Sequence, residues 1–417
     1  MVKTKTKTRT KTRASKINDL GVFSDFSNSD FYSNRAQHVY FYGEVEDKNV
    51  HKFREDLFKA SQVTHETKKD SGLAPISIKP KPIVIHVNSP GGSGEFGITL
   101  MNIVSECNIP LCIFIDGYCC SAASLMFIAA PVRIMHEASL FLIHEGSWHG
   151  HLDQRTTEFD LTINIEKSMS RSYVDIYENN STMTRKMINE LVQRDMFMNS
   201  TMCKEHSIVD KILVFSKKAS FANWDKYSVT SKQYNDDENL YKVENYNHLF
   251  QYNNNPDHLD LEKKTNCEMK VITALHTVAN IDLAKPLIIH FNASFIPETV
   301  AFQNVSAILS RLHMLNTPVV SVIDSNVNIM QILPSFVAHR RYMYRNTTIR
   351  VELVVKFMST TYFHDIFHNT KLLRDGIKKI LKEFTKIPES VLKELFFSRT
   401  VIDAEMALKY GMVDFII

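Results

Sequence analysis

From residue 37 onward, short apolar runs alternate with longer stretches whose apolar residues recur every three or four positions. Residues 38–43 form an aromatic and β-branched run, which predicts a first strand. Residues 50–61 have helical apolar spacing. Residues 83–87 read as a buried strand, 98–107 as a helix beginning just past a glycine turn, and 111–115 as the next strand. Strands alternating with helices argue for an α/β layered core. Residues 64–81 are polar with Gly72, Pro75 and Pro80, and read as a surface insertion. Residues 216–268 break the pattern with segments such as 233–239 and 252–256, and read as a flexible polar linker.

Past that break the pattern repeats. Pro82-Ile83-Val84-Ile85-His86-Val87-Asn88 is echoed by Pro286-Leu287-Ile288-Ile289-His290-Phe291-Asn292. Asn108-Ile109-Pro110 and a strand ending Ile115-Asp116 are echoed by Asn316-Thr317-Pro318 and a strand ending Ile323-Asp324. Ile208-Val209-Asp210 is echoed by Met412-Val413-Asp414. Near-constant offsets predict two tandem copies of one fold. The expected domains are a basic disordered tail over 1–35, a first domain over 36–215, the linker over 216–268 and a second copy over 269–417.

A length of 417 residues also favours two cores over one. With 44% apolar and 23% charged residues the composition is that of a globular protein, and a net charge of +3 implies no strongly polarised partner. The six cysteines show no paired metal-ligand spacing and point to a reducing compartment. No run of about 18 apolar residues is present, so no membrane partner is expected. Lys3, Lys5, Lys7, Arg9, Lys11, Arg13 and Lys16 make the start basic, without the apolar stretch of a secretory signal. A cytoplasmic location is expected, with nuclear or organelle targeting by the tail left open. Nucleic-acid contact is expected, if anywhere, only there.

Three segments in order carry a serine, a histidine and an aspartate: Gly117-Tyr118-Cys119-Cys120-Ser121-Ala122-Ala123-Ser124, Phe141-Leu142-Ile143-His144 and Arg194-Asp195-Met196-Phe197-Met198. Upstream lies Val87-Asn88-Ser89-Pro90-Gly91-Gly92, a glycine turn directly after an apolar strand. A serine hydroxyl attacks only when a base takes its proton and a third group holds that base. The acyl oxyanion needs backbone N–H donors, which a Gly-Gly turn can present. Each residue also has a plainer reading: Ser121 as a helix N-cap, His144 as a polar strand end, Asp195 as a salt-bridge partner of Arg194. Ser124 is the rival nucleophile, one turn into the helix, and Cys119 and Cys120 read as small buried filler.

These four motifs, in this order and spacing, resemble the proteolytic subunit of the Clp protease, the ClpP family, over residues 37–213. The resemblance implies a ClpP/crotonase-like layered αβ superhelical fold of ββα repeats. It implies Ser121, His144 and Asp195 as catalytic triad, Gly91 and Ala122 N–H as oxyanion hole, Gly92 in substrate binding, and no metal or cofactor. It further implies a peptide or unfolded-protein substrate, a homo- or hetero-oligomeric ring, and an AAA+ unfoldase ATPase partner, since the chain has no phosphate-binding loop of its own. After His144 the family has Gln-Pro and a glycine-rich segment, whereas this chain has Glu145-Gly146-Ser147-Trp148-His149-Gly150.

The second copy has lost these residues. Ile329 stands where Ser121 does, Glu352 where His144 does and Arg399 opposite Asp195, and the glycine turn becomes Asn292-Ala293-Ser294-Phe295. Seven of the twelve glycines lie between 91 and 150, where backbone must approach substrate, against Gly376 and Gly411 in the second copy. That copy is expected to serve assembly. The competing reading is a pseudopeptidase that builds a ring without catalysis. Crotonase-type acyl-CoA chemistry needs no Ser-His-Asp set, and signal-peptide peptidases of related fold pair Ser with Lys in a membrane, so both fit less well.

Overall fold

The structure, a computed structural model, describes residues 21–27, 30–31, 35–67, 77–146, 156–215, 241–243, 287–291, 302–315, 318–351, 363–395 and 400–417. It divides into two compact units, Met1–Leu213 and Val214–Ile417.

The first unit is built on parallel strands β1 (Gln37–Val45), β4 (Ile83–Gly92), β5 (Leu111–Cys120), β6 (Val132–His136) and β9 (Lys211–Leu213), hydrogen-bonded in that order. Strand β7 (Leu140–Leu142) pairs with the far half of β5, and β8 (Met198–Asn199) pairs antiparallel with β7. Helix α1 (Asp47–Ser61) buries Val50, Phe53, Leu57 and Ala60, a stripe at helical spacing. Asp47 in its first turn and Lys59 in its last complement the helix dipole. Helices α2 (Gly94–Glu106) and α3 (Ala122–Ala129) follow β4 and β5. Helix α3 buries every residue from Ala122 to Ile128, so it packs as a central helix with no solvent face. Gly97 of α2 lets the two helices touch, since a Cβ there would lie 2.8 Å from the Ala122 carbonyl. The long helix α4 (Thr156–Asn180), α5 (Arg185–Val192) and α6 (Ser200–Glu205) complete the unit, with Thr184 and Asn199 capping the last two.

Three expectations change. Strand β5 does not stop at Ile115. Its partner changes from β6 to β7 across Asp116-Gly117, and it continues to Cys120. Residues 64–81 hold an antiparallel pair, β2 (Thr64–Thr67) with β3 (Ser77–Pro80), with 68–76 outside the described residues. The described part of the 1–35 tail anchors three aromatic side chains among exposed residues. Phe23, Phe26 and Phe31 are buried, and Phe31 stacks on Phe114 of β5 with centroids 6.5 Å apart. Lys211 lies 5.0 Å above the Phe31 ring and donates to the Phe26 carbonyl at 3.2 Å. Aromatic residues scattered among Ser, Asn and Asp leave no periodic signal, so this packing has no sequence signature. The basic residues of 1–16 lie outside the described residues.

A buried arginine pins the end of the first unit. Arg133 donates from Nη1 to the Asn180 carbonyl at the end of α4 (2.7 Å) and from Nη2 to the Ser207 carbonyl (3.1 Å). Its backbone N–H donates to Asp210 (2.8 Å), and Asp210 N–H donates back to the Arg133 carbonyl (2.8 Å). Burial lowers the guanidinium pKa, and the Asp210 charge opposes that shift.

In the second unit the parallel order is β10 (Tyr241–Val243), β11 (Leu287–Phe291), β12 (Val319–Ile323), β14 (Arg340–Met343) and β17 (Phe415–Ile416). A smaller sheet joins β13 (Val327–Asn328), β15 (Thr348–Val351) and β16 (Thr400–Asp403). Helices α7 (Phe302–Met314), α8 (Ile329–Ile332), α9 (Phe363–Phe384), α10 (Glu389–Leu395) and α11 (Ala404–Lys409) accompany them, with a 3-10 turn over Leu333–Val337. Residues 241–243, assigned to the linker on polarity alone, are the sheet's edge strand, in register Lys242↔Ile288. Among the described residues no helix is long and apolar enough to cross a membrane.

Candidate active site

Ser121 sits between the end of β5 and the first turn of α3, at φ 52° and ψ −128°. A non-glycine residue held there is strained and must be fixed by its surroundings. They are identifiable. Its N–H donates to the Leu142 carbonyl at 2.9 Å, and its carbonyl accepts from Ser124 N–H at 2.9 Å and from the Ser124 hydroxyl. The Tyr177 hydroxyl lies 2.5 Å from Ser124 Oγ. Because the Ser121 carbonyl can only accept, the Ser124 proton points to it, and Tyr177 is the donor to Ser124.

Gly91 faces this turn. It holds φ +97°, and a Cβ on it would lie 2.5 Å from Ser121 Cβ, 2.7 Å from the Cys120 carbonyl and 3.1 Å from Ala122 N. Only glycine fits, by conformation and by space. The candidate donors, Gly91 N–H and Ala122 N–H, thus belong to adjoining backbone on either side of the serine. Gly91 N–H also donates to Ser89 Oγ at 3.2 Å. Gly92 is exposed at the end of β4 and paired with Val45 of β1.

His144 follows β7 by two residues, and its Nδ1 lies 2.7 Å from Asp195 Oδ1. Both side chains are about one-third exposed, at 34% each. Glu145 N–H donates to the Val192 carbonyl at 2.6 Å, holding the chain after His144 beside the segment that carries Asp195. With Nδ1–H given to the carboxylate, Nε2 keeps the lone pair a general base needs. Among the described residues, Ser121 Oγ makes no hydrogen bond to His144. Acid–base contacts of this kind commonly tighten only with substrate present.

The rival nucleophiles are occupied or silent. Ser124 is fully buried and engaged by Ser121 and Tyr177. Burial raises the thiol pKa of Cys119 well above its ordinary value and that of Cys120 likewise, which keeps both protonated and unreactive. Tyr177 was not foreseen. It lies 53 residues from Ser124 on a helix whose pattern marks only a packed face. Among the described residues no group of three or more His, Cys, Asp or Glu side chains could hold a metal ion.

Ile329, opposite Ser121 in the proposed repeat, is buried in the first turn of α8. Its preceding residue Asn328 has ordinary extended backbone (φ −90°, ψ 149°) and forms a capping box with Gln331. On that alignment an unstrained, capped helix start lies opposite the strained serine. Glu352, Arg399 and the turn 292–295 lie outside the described residues.

Comparison with known proteins bears on the first unit. The family model described as Clp protease matches residues 37–216. Over these residues the chain is similar to the Clp protease family. Among curated relatives, the ATP-dependent Clp protease proteolytic subunit 1 of Chlamydia pneumoniae is 28% identical over 135 residues, 32% of this chain and 71% of that protein. The protein of the same name from Chlamydia trachomatis serovar D is 26% identical over 135 residues, covering 70% of its length. Among solved structures, ClpP1 from Listeria monocytogenes aligns with TM-score 0.34 and 18% identity over 45% of this chain and 94% of that one. A point mutant of that Listeria protein gives 0.35 and 18% over 43% and 91%. The unit that the family model matches is a mainly parallel sheet with accompanying helices, an α/β architecture.

Proposed function

We propose that the protein is a Clp-type serine endopeptidase whose first unit carries the active site. The observation that carries this reading is the strained Ser121 turn, pressed against Gly91 and tied to the strand that leads to the His144–Asp195 pair. In the reaction, Ser121 Oγ attacks the carbonyl carbon of the scissile peptide while His144 Nε2 takes the hydroxyl proton. The C=O π electrons move onto oxygen, which Gly91 and Ala122 N–H stabilise with the positive end of α3 behind them. Collapse breaks the C–N bond, and the amine leaves with the proton from His144. Water, deprotonated by the same imidazole, then hydrolyses the acyl-enzyme and restores Ser121. Asp195 holds the tautomer throughout, and Gly92 lies where the backbone of a bound peptide would pass.

The relatives named above are proteolytic subunits of an ATP-dependent protease. On that likeness the chain works in a ring and receives unfolded protein from a separate AAA+ ATPase. The second unit is a degenerate copy of the first, used for assembly. Support for a repeat comes from its strand order and from a second arginine clamp. Arg341 donates its N–H (2.9 Å) and Nη2 (2.7 Å) to Asp414 and its Nη1 to the Phe384 carbonyl at the end of α9 (2.9 Å). Arg133, Asp210 and Asn180 make the matching clamp in the first unit.

The test is labelling of the full chain by a fluorophosphonate, with Ser121→Ala as control. Labelling that disappears in the variant is the expected result. Wild-type protein that is folded and assembled, yet neither labels nor cleaves peptides, would leave a ring-forming pseudopeptidase instead.

A further inference from the structure

Behind the serine turn lies a second set of polar side chains that the chemistry above does not use. His86 is fully buried and Asp116 is 1% exposed. His86 Nδ1 lies 3.0 Å from Asp116 Oδ2, and the Tyr42 hydroxyl bonds to the same oxygen. The carboxylate takes both protons, so His86 Nε2 has a lone pair to offer. It receives the Nδ1–H of His38 at 3.0 Å. Phe114, stacked under Phe31, and Tyr40, stacked on His86 with centroids 4.9 Å apart, close the cluster from the sides.

This cluster sits where the two strands of the candidate site both lose regular pairing. Strands β4 and β5 run in register up to Val87↔Ile115, then resume at Ser89↔Cys119. Three residues, 116–118, therefore face the single residue Asn88. Across Asp116-Gly117, within the same stretch, β5 changes its other partner from β6 to β7. Side chains replace the missing ladder bonds. Asn88 Oδ1 accepts Tyr118 N–H at 3.1 Å, and Ser139 Oγ lies 2.8 and 2.7 Å from the carbonyl oxygens of Ile115 and Asp116. Asn88, Ser139, His86 and Asp116 are all 2% exposed or less. Past this bulge β4 delivers Gly91 and β5 delivers Ser121.

We propose that His86, Asp116, Asn88, Ser139 and Tyr42 form a positioning knot that sets the offset between β4 and β5, bringing Gly91 N–H against Ser121. This deepens the peptidase reading and rests on it for its catalytic consequence. A two-residue slip in one strand is otherwise held only by backbone, and the register it fixes decides whether the oxyanion donors flank the nucleophile or miss it. Buried, fully engaged polar groups suit that task, because any other register strands a carboxylate or an N–H without a partner. In the sequence repeat, His290, Asn292 and Asp324 stand opposite His86, Asn88 and Asp116, and β11 pairs with β12 in register His290↔Val322.

The test uses the full chain with His86→Gln, Asp116→Asn and Asn88→Ala. Three readouts are taken: hydrogen exchange over residues 86–92 and 116–122, with 47–61 as control, the fluorophosphonate labelling rate, and KM for turnover of a short peptide. Exchange in both bulge segments is expected to rise about tenfold while 47–61 stays unchanged. Labelling is expected to fall about 100-fold, as misplacement near 1 Å would cause, with KM for a short peptide little altered. Bulge exchange within about twofold of wild type, or a rise spread equally over 47–61, overturns the proposal. Should Asp116→Asn fail to fold, Asn88→Ala, which removes the Tyr118 N–H acceptor and leaves the His86–Asp116 pair in place, gives the same decision. If wild type does not label, the peptidase reading fails, and the exchange arm still decides the knot.

Discussion

The backbone N–H of Ser121 donates to the carbonyl of Leu142, two residues before His144, at 2.9 Å. The serine turn and the strand leading to the histidine are therefore one hydrogen-bonded piece. Motion of β7 is transmitted to both. Asp195 reaches this piece from the other side, through His144 Nδ1 and through Glu145 N–H on the Val192 carbonyl.

Asp195→Asn should separate activity from stability. An amide in place of the carboxylate presents a donor to His144 Nδ1 and favours the wrong tautomer, so kcat should fall about 10⁴-fold. The pair is one-third exposed, so unfolding free energy should change by less than about 1 kcal/mol. Peptide turnover and urea denaturation of the same sample check both. A kcat within about tenfold of wild type would remove Asp195 from the triad.

Gly91→Ala meets two obstacles at once, φ +97° and a Cβ 2.5 Å from Ser121 Cβ. The backbone must shift at a cost of about 1–3 kcal/mol, carrying the N–H away from the serine. Labelling should drop at least about 100-fold, the cost of one lost oxyanion donor. A variant that labels at the wild-type rate would show that this N–H takes no part.

For Tyr177→Phe the expected loss is smaller. It removes the donor to Ser124 Oγ, which in turn holds the Ser121 carbonyl. About 1 kcal/mol of stability should go, lowering Tm by about 2–4 °C. The labelling rate should fall several-fold through the loosened turn. Unchanged calorimetry and labelling together would leave Tyr177 as packing alone.

Stability should decline at alkaline pH. Burial raises the pKa of the Cys112, Cys119, Cys120 and Cys203 thiols and of the Tyr177 phenol. These groups stay protonated in the fold, while the unfolded chain ionises at ordinary values. Their contribution is whole below the usual thiol pKa and is lost as pH rises toward the folded values, by about 1.4 kcal/mol per pH unit per thiol. Urea midpoints at pH 7.5, 8.5, 9.5 and 10.5 measure it, and a flat series would contradict the burial of these side chains.

Much of this protein is local and therefore readable along the chain. The apolar runs of β1, β4 and β5 and the stripe Val50, Phe53, Leu57, Ala60 follow from the periods of strand and helix. The order of the Gly91, Ser121, His144 and Asp195 motifs is sequence information too, as is the resemblance they carry. What depends on residues far apart had no such trace. Tyr177 meets Ser124 across 53 positions, and Tyr42 meets Asp116 across 74. The strand at 241–243 reads as polar linker because an edge strand is stabilised by its neighbour's backbone, which side-chain composition does not report. Phe31 reads as tail because its partner Phe114 is buried in another element. Periodicity records which face of an element is apolar. Which faces meet, and which polar atoms are thereby forced to find partners, is decided only when the sheet closes and water is excluded.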